Sequence, residues 1–242
     1  MTARAVEQAL KKCANPERVA VLSGGYSPSA LRYVGASVPQ LRGIVRDVAA
    51  AMKGTSAAEV LALAQELVDG QMAEARQVGW EVVAKRKDAM ALLTTARLER
   101  LGRGNDNWAS VDAFATGLVG PAWRVGQVAD ADVLRWARSR DKWWRRTALA
   151  ATVALNLAAR GGRGDVPRTL LVCACFTADR DPMLAKALSW ALRSALPHDS
   201  DAVRAFVETH RVTLPPLVVR EVTTKLTTGL KQPRAAARSK RM

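Results

Sequence analysis

Apolar side chains in this chain recur at every third or fourth position, and alternating runs of β-branched residues bounded by hairpin turns are absent. From Pro39 to Met52, the residues Leu41, Ile44, Val45, Val48 and Met52 step by three or four, which on a helix makes a single buried stripe. Pro39 suits the first turn of that helix and Gly54 its end. The same spacing predicts helices over residues 56–68, 72–85, 88–101, 108–118, 130–140, 142–159, 166–178, 182–196, 199–209 and 216–230. Short joints with turn chemistry separate them, among them GRGND at 102–106, GGRGD at 161–165, ADRD at 178–181 and PHDS at 197–200. Helices joined so closely pair antiparallel, as a bundle or a stacked solenoid, and from about residue 88 the pairs recur at a period near the ~40 residues of HEAT-type units. The expected fold is all-α.

Lys and Arg number 37 against 22 Asp and Glu, a formal charge of +15, which favours a polyanionic partner. A membrane surface would call for an amphipathic anchor, a lipidation signal or a long apolar span. The longest apolar stretch, residues 147–159, is interrupted by Thr152 and Asn156 and falls short of the roughly 20 residues needed to cross a bilayer, so it reads as a buried helix. The N-terminal MTARAVEQALKK lacks the apolar core of a secretory signal, and the expected location is the cytoplasm. From Lys231 on, KQPRAAARSKRM carries five basic residues and no acid, and is expected to be a disordered arm beyond a single domain of residues 1–230.

The three cysteines, Cys13, Cys173 and Cys175, have no second pair or histidine cluster to complete a metal site and read as free thiols. With only His198 and His210, neither beside a Cys or an activated Ser, Cys-His and Ser-His nucleophile schemes have little support. No metal or other cofactor is expected.

Charge concentrates between Arg135 and Arg163, where eight basic residues face a single acid, Asp141. Such a cluster can neutralise phosphates, although a solvated helix face gives the same pattern. Seven Trp against three Phe and two Tyr invert the usual aromatic ratio, and Trp108, Trp136, Trp143 and Trp144 lie in or beside the basic region. Indole stacks on bases and faces cations, while a core role is the default for any one Trp and fits Trp136. Trp108 and Asp112 stand four apart in NWASVDAF, so a helix would project indole and carboxylate from one face, a turn apart. The same carboxylate could instead cap a helix or pair with a nearby Arg.

Four segments together resemble the HEAT-like-repeat DNA alkylation repair family, the alkylpurine DNA glycosylases. NWASVDAF at 107–114 is similar to the family's Trp-x-x-x-Asp segment, KWWRRTALAAT at 142–152 to its Trp-x-x-Arg helix, and AKALSWALR at 185–193 to its Lys-Ala-x-x-Trp-x-x-Arg helix. YVGASVPQLR at 33–42 matches a weaker N-terminal segment, and Tyr26 falls near a lesion-facing aromatic of the family. Met183 and Leu184 depart from it where an aromatic is common, and the loops are richer in glycine. The resemblance implies a solenoid of helix pairs with a basic concave face, acting as a monomer with no obligate protein partner. It also implies monofunctional hydrolysis of the N-glycosidic bond of N3- or N7-alkylated purines in double-stranded DNA, without base flipping. Asp112, Trp108 and Trp190 become the expected catalytic residues, with Arg146, Lys186, Arg193, Trp143, Arg145 and Tyr26 expected to contact DNA. Two other readings are a glycosylase for bulky N3-adenine adducts and a non-catalytic DNA-binding HEAT protein.

Overall fold

In the computed structural model, which describes residues 1–231, every regular element is helical apart from one isolated bridge between Arg32 and Met72. The N-terminal part comprises α1 (Ala3–Lys11), α2 (Pro16–Val21) and α3 (Val38–Ala51). Next come α4 (Ala57–Asp69), α5 (Ala73–Ala84), α6 (Lys87–Ala91), α7 (Thr95–Leu101), α8 (Trp108–Phe114) and α9 (Gly120–Arg124). The rest is α10 (Asp130–Ala137), α11 (Lys142–Asn156), α12 (Val166–Cys173), α13 (Pro182–Ala195), α14 (Ser200–Thr209) and α15 (Pro216–Thr228). All but one residue of the basic arm expected at 231–242 lie outside the described residues.

Two rows of helices stack along the chain. In one row α3 packs on α5, α5 on α8, α8 on α11, α11 on α13 and α13 on α15. In the other α4 touches α7, α10 touches α12 and α12 touches α14, while each helix of this row from α10 on also pairs with its successor in the first. The starts of α7, α10, α12 and α14 lie 35, 36 and 34 residues apart, and those of α8, α11, α13 and α15 lie 34, 40 and 34 apart. This neighbour-to-neighbour packing at a near-constant step is consistent with stacked HEAT-like pairs.

Side-chain caps decide where the helices begin. Ser37 with Gln40 and Ser56 with Glu59 form capping boxes, and Thr94, Asn107, Asp165 and Asp199 each accept the backbone N–H three residues on. Thr94 explains why the helix expected over 88–101 is two: its cap restarts the chain at α7 after Leu93 turns into the core. The opposite happens after residue 114, where a π-turn over 115–119 carries α8 on into α9. There the Thr116 hydroxyl donates to the Asp112 carbonyl at 2.7 Å. At the N-terminus, α1 and α2 form on cap chemistry from Thr2 and Asn15 that the apolar spacing did not signal.

The core centres on α11, buried without interruption from Arg146 to Asn156 by α8, α9, α10, α12 and α13. It ends at Asn156, earlier than the spacing predicts, because Leu157 is extended. Alanines at 148, 150, 151 and 154 let neighbouring backbones approach, and the large apolar groups Trp80, Trp123, Phe114, Leu149 and Leu155 fill the remaining volume. Against α11 the closest approach is at Gly120, where an added Cβ would stand 2.5 Å from the Ala151 carbonyl oxygen and 2.6 Å from the Ala154 Cβ. Gly120→Ala should therefore cost about 1–3 kcal/mol of unfolding free energy in urea. Gly117→Ala, with open space around its Cβ, should be neutral or stabilising by up to about 1 kcal/mol. Equal effects of the two would show that this contact does not limit the packing.

Candidate functional site

Asp112 leaves α8 one turn after Trp108 and meets Arg146 from the first turns of α11. The guanidinium grips the carboxylate with both prongs, Nε to Oδ1 at 2.8 Å and Nη2 to Oδ2 at 2.7 Å, and its third nitrogen donates to the Met183 carbonyl at the start of α13. One side chain thereby joins three successive helices of a row. The Arg146 side chain is only 6% exposed, whereas Asp112 keeps 16%. An ionised carboxylate has about four lone-pair sites, and the fork occupies two. Burial pushes the Asp112 carboxyl above its ordinary value, and the hydrogen bonds and charge of Arg146 oppose that shift by favouring the ionised form.

Trp108 is held from the other side. Its indole N–H donates to the Tyr26 carbonyl at 2.7 Å, and the two rings meet edge to face with centroids 5.1 Å apart. The segment that carries Tyr26 is laced to the approach of α8. Ser27 donates to Asn107 at 3.0 Å, Asp106 accepts from the Ser29 hydroxyl and from the Ala30 N–H, and Tyr33 donates to the Ser27 carbonyl at 2.6 Å. Burial raises the Tyr33 pKa, so its phenol stays a donor. The loop after α7 is fixed from beneath by Arg76, 1% exposed, which donates to the Arg103 carbonyl at 2.8 Å.

Tyr26 and Trp108 line a cavity of about 260 Å³ together with Arg18, Gln77 and Ala109. Gln77 also lines a hollow of about 450 Å³ bounded by Arg42, Lys85, Ala113, Gly117 and Arg160. Ala109 and Ala113 stand one turn apart on α8, so the two hollows follow a floor of small residues with cations on the walls.

The other residues expected at the site fall into two groups. Trp143 and Trp190 are half-buried and Lys186 is exposed, and no hydrogen bond among the described residues joins any of them to the Asp112–Arg146 pair. Lys142 lies 5.0 Å from the Trp143 ring centroid. Three arginines expected to contact DNA make ion pairs within the protein. Arg146 is engaged as above, Arg145 pairs with Asp179 over the Phe176 ring, and Arg193 is held by Ser189 and by Glu221 at 3.5 Å. Trp136 is a core residue, as its default implied, and donates to Glu99. Sequence reasoning did not single out Asp106, Asn107 and Tyr33, which fix Trp108, or Arg42 and Lys85, which line the hollow beside Arg160 of the basic stretch. Asn107 carried a signal as a capping residue just before the helix, and Tyr33 and Arg42 bound the matching segment at 33–42. The described residues hold no cluster of metal-ligating side chains and no helix long and apolar enough to cross a membrane.

A family model described as DNA alkylation repair enzyme matches residues 6–226. No curated protein matches the chain. The fold resembles a solved structure described as a predicted DNA alkylation repair enzyme from Enterococcus faecalis, with a TM-score of 0.68 at 14% identity over 90% of this chain and 98% of that one.

Because the fork of Arg146 satisfies two carboxylate oxygens and a carbonyl at once, Arg146→Lys should be a poor replacement, losing about 2–4 kcal/mol of stability. Arg146→Met should lose at least as much, and adding Asp112→Leu should recover part of the loss by removing the stranded carboxylate. Strict additivity of the two substitutions in a denaturation cycle would contradict the pairing.

Proposed function

The chain belongs to the family of DNA alkylation repair enzymes, and from that premise we propose that it hydrolyses the N-glycosidic bond of N3- or N7-alkylated purines in double-stranded DNA. The observation that carries this reading is a carboxylate oriented by a buried guanidinium, partly open, one helical turn from a fixed indole. A purine alkylated at N3 or N7 is cationic, so its glycosidic bond is weakened and the base leaves neutral without protonation. Positive charge then develops on the sugar, as in glycoside hydrolysis. A fixed carboxylate and the faces of indoles stabilise such a cation without reorganising as it forms.

In this proposal Asp112 faces the sugar cation and orients water through its unoccupied lone pairs. Trp108 and Trp190 pack around the damaged nucleotide. Arg146 acts as a positioning residue: its fork aims the carboxylate and keeps it ionised. Phosphate contacts fall to Lys186 and to the cations along the α8 floor, Arg42, Lys85 and Arg160, and Tyr26 borders the lesion through Trp108. The small residues of that floor, Ala109, Ala113 and Gly117, also favour room for adducts larger than a methyl group, which a side-by-side assay on methyl and bulky N3-adenine lesions would measure.

The pure protein should release 7-methylguanine or 3-methyladenine from methylated DNA, and Asp112→Asn should slow single-turnover release by about 100-fold or more. Since the ionised carboxylate is the working form and burial raises its pKa, the wild-type rate should fall with decreasing pH through an apparent pKa above the ordinary ~3.9 of Asp. Asp112→Asn should lack that limb. Equal rates for the two proteins would remove Asp112 from the chemistry.

A further inference from the structure

A second cationic hollow, of about 720 Å³, lies away from Asp112, between α7 and the end of α10. Arg100 at the end of α7, Arg103 in the following loop and Arg138 just after α10 line it, all exposed, and none is in an ion pair among the described residues. Its two acids are already occupied. Glu99 accepts from Arg135 at 2.7 Å and from the Trp136 indole at 2.9 Å, and Asp141 caps α11 by accepting the Trp143 N–H at 2.8 Å.

We infer that this hollow is a second phosphate-binding site, taking the sugar-phosphate backbone of DNA that extends beyond the lesion cleft. Guanidinium forks match phosphate oxygens, and three such groups spread along a rim suit successive phosphates rather than one compact anion. The location agrees. The loop bearing Arg103 runs directly into Trp108, and the joint after Arg138 runs directly into α11, so a duplex seated at the cleft passes close to this rim. A neighbouring hollow between α4 and α7 shares Arg100 and adds Arg97, which continues the basic edge. The inference rests on the reading that the chain works on DNA, and is independent of whether it releases a base.

The test compares the full wild-type chain with Arg100→Ala/Arg103→Ala/Arg138→Ala, using undamaged duplexes, one short enough to fill only the cleft and one overhanging it at both ends. Binding is followed by fluorescence anisotropy across a salt series. The longer duplex should bind the wild type with the steeper salt dependence. The triple variant should lose a slope of roughly 2–3 in log affinity against log salt on that duplex, at about 0.9 per phosphate released, with the short duplex and the thermal melt unchanged. Single-turnover base release at saturating protein should also be unchanged. An unaltered slope on the long duplex, or an equal loss on both duplexes, would overturn the assignment. So would stabilisation of the wild type by inorganic phosphate that the variant loses while duplex slopes stay equal, which would assign the hollow to a free anion. Binding of neither duplex by the wild type refutes the DNA reading together with this one; binding without base release refutes only the proposed chemistry.

Discussion

Where α8, α11 and α13 meet, a buried guanidinium holds a carboxylate by two hydrogen bonds and the next helix's first turn by a third. Successive helix pairs in an array touch only their neighbours, so the relative position of residues on different pairs is set by such junctions. Asp112 alone would be a costly group at this depth, because a partly buried carboxylate without a partner favours its neutral form. Arg146 makes the charged form tenable and fixes its direction, while the 16% exposure of Asp112 leaves it an open edge.

The indole next to it depends on a different set of contacts. Trp108 begins α8, a position free to fray, yet its N–H is held by a carbonyl from residue 26 and its ring by the Tyr26 edge. Asp106 and Asn107 bind the segment that supplies that carbonyl, and Arg76 supports their loop from inside the core. Carboxylate and indole are thus fixed from opposite directions, one by helices later in the chain and one by a segment some 80 residues earlier. Preorganisation of this kind is what allows a charge to be stabilised as it forms, since the groups need not move to meet it.

Helix content was legible because apolar spacing is a local property, and the stripe through Leu41, Val45 and Val48 is buried as its period implies. Boundaries were less so. Thr94 splits one apolar run into two helices, and the π-turn after Phe114 carries α8 on into α9 past the expected end at residue 118, each by hydrogen bonding that hydrophobic spacing does not encode. At the site, the four-residue step from Trp108 to Asp112 put both on one helix face, but the same reasoning could not tell a free arginine from a committed one. Arg145, Arg146 and Arg193 lie in a basic stretch or a matching motif, and their partners Asp179, Asp112 and Glu221 are 28 to 34 positions away. Pairing across helix pairs appears only once the array is stacked.

The role proposed for Asp112, aimed by Arg146, is to stabilise positive charge on the sugar. The most direct measurement compares affinity for two undamaged duplexes that differ at one nucleotide, a cationic pyrrolidine in place of the sugar in one and a neutral tetrahydrofuran in the other. A site built for an oxocarbenium-like species binds the cation more tightly, and the preference should largely vanish in Asp112→Asn. Equal affinity of the wild-type chain for the two duplexes, or a preference that survives Asp112→Asn, would contradict the account.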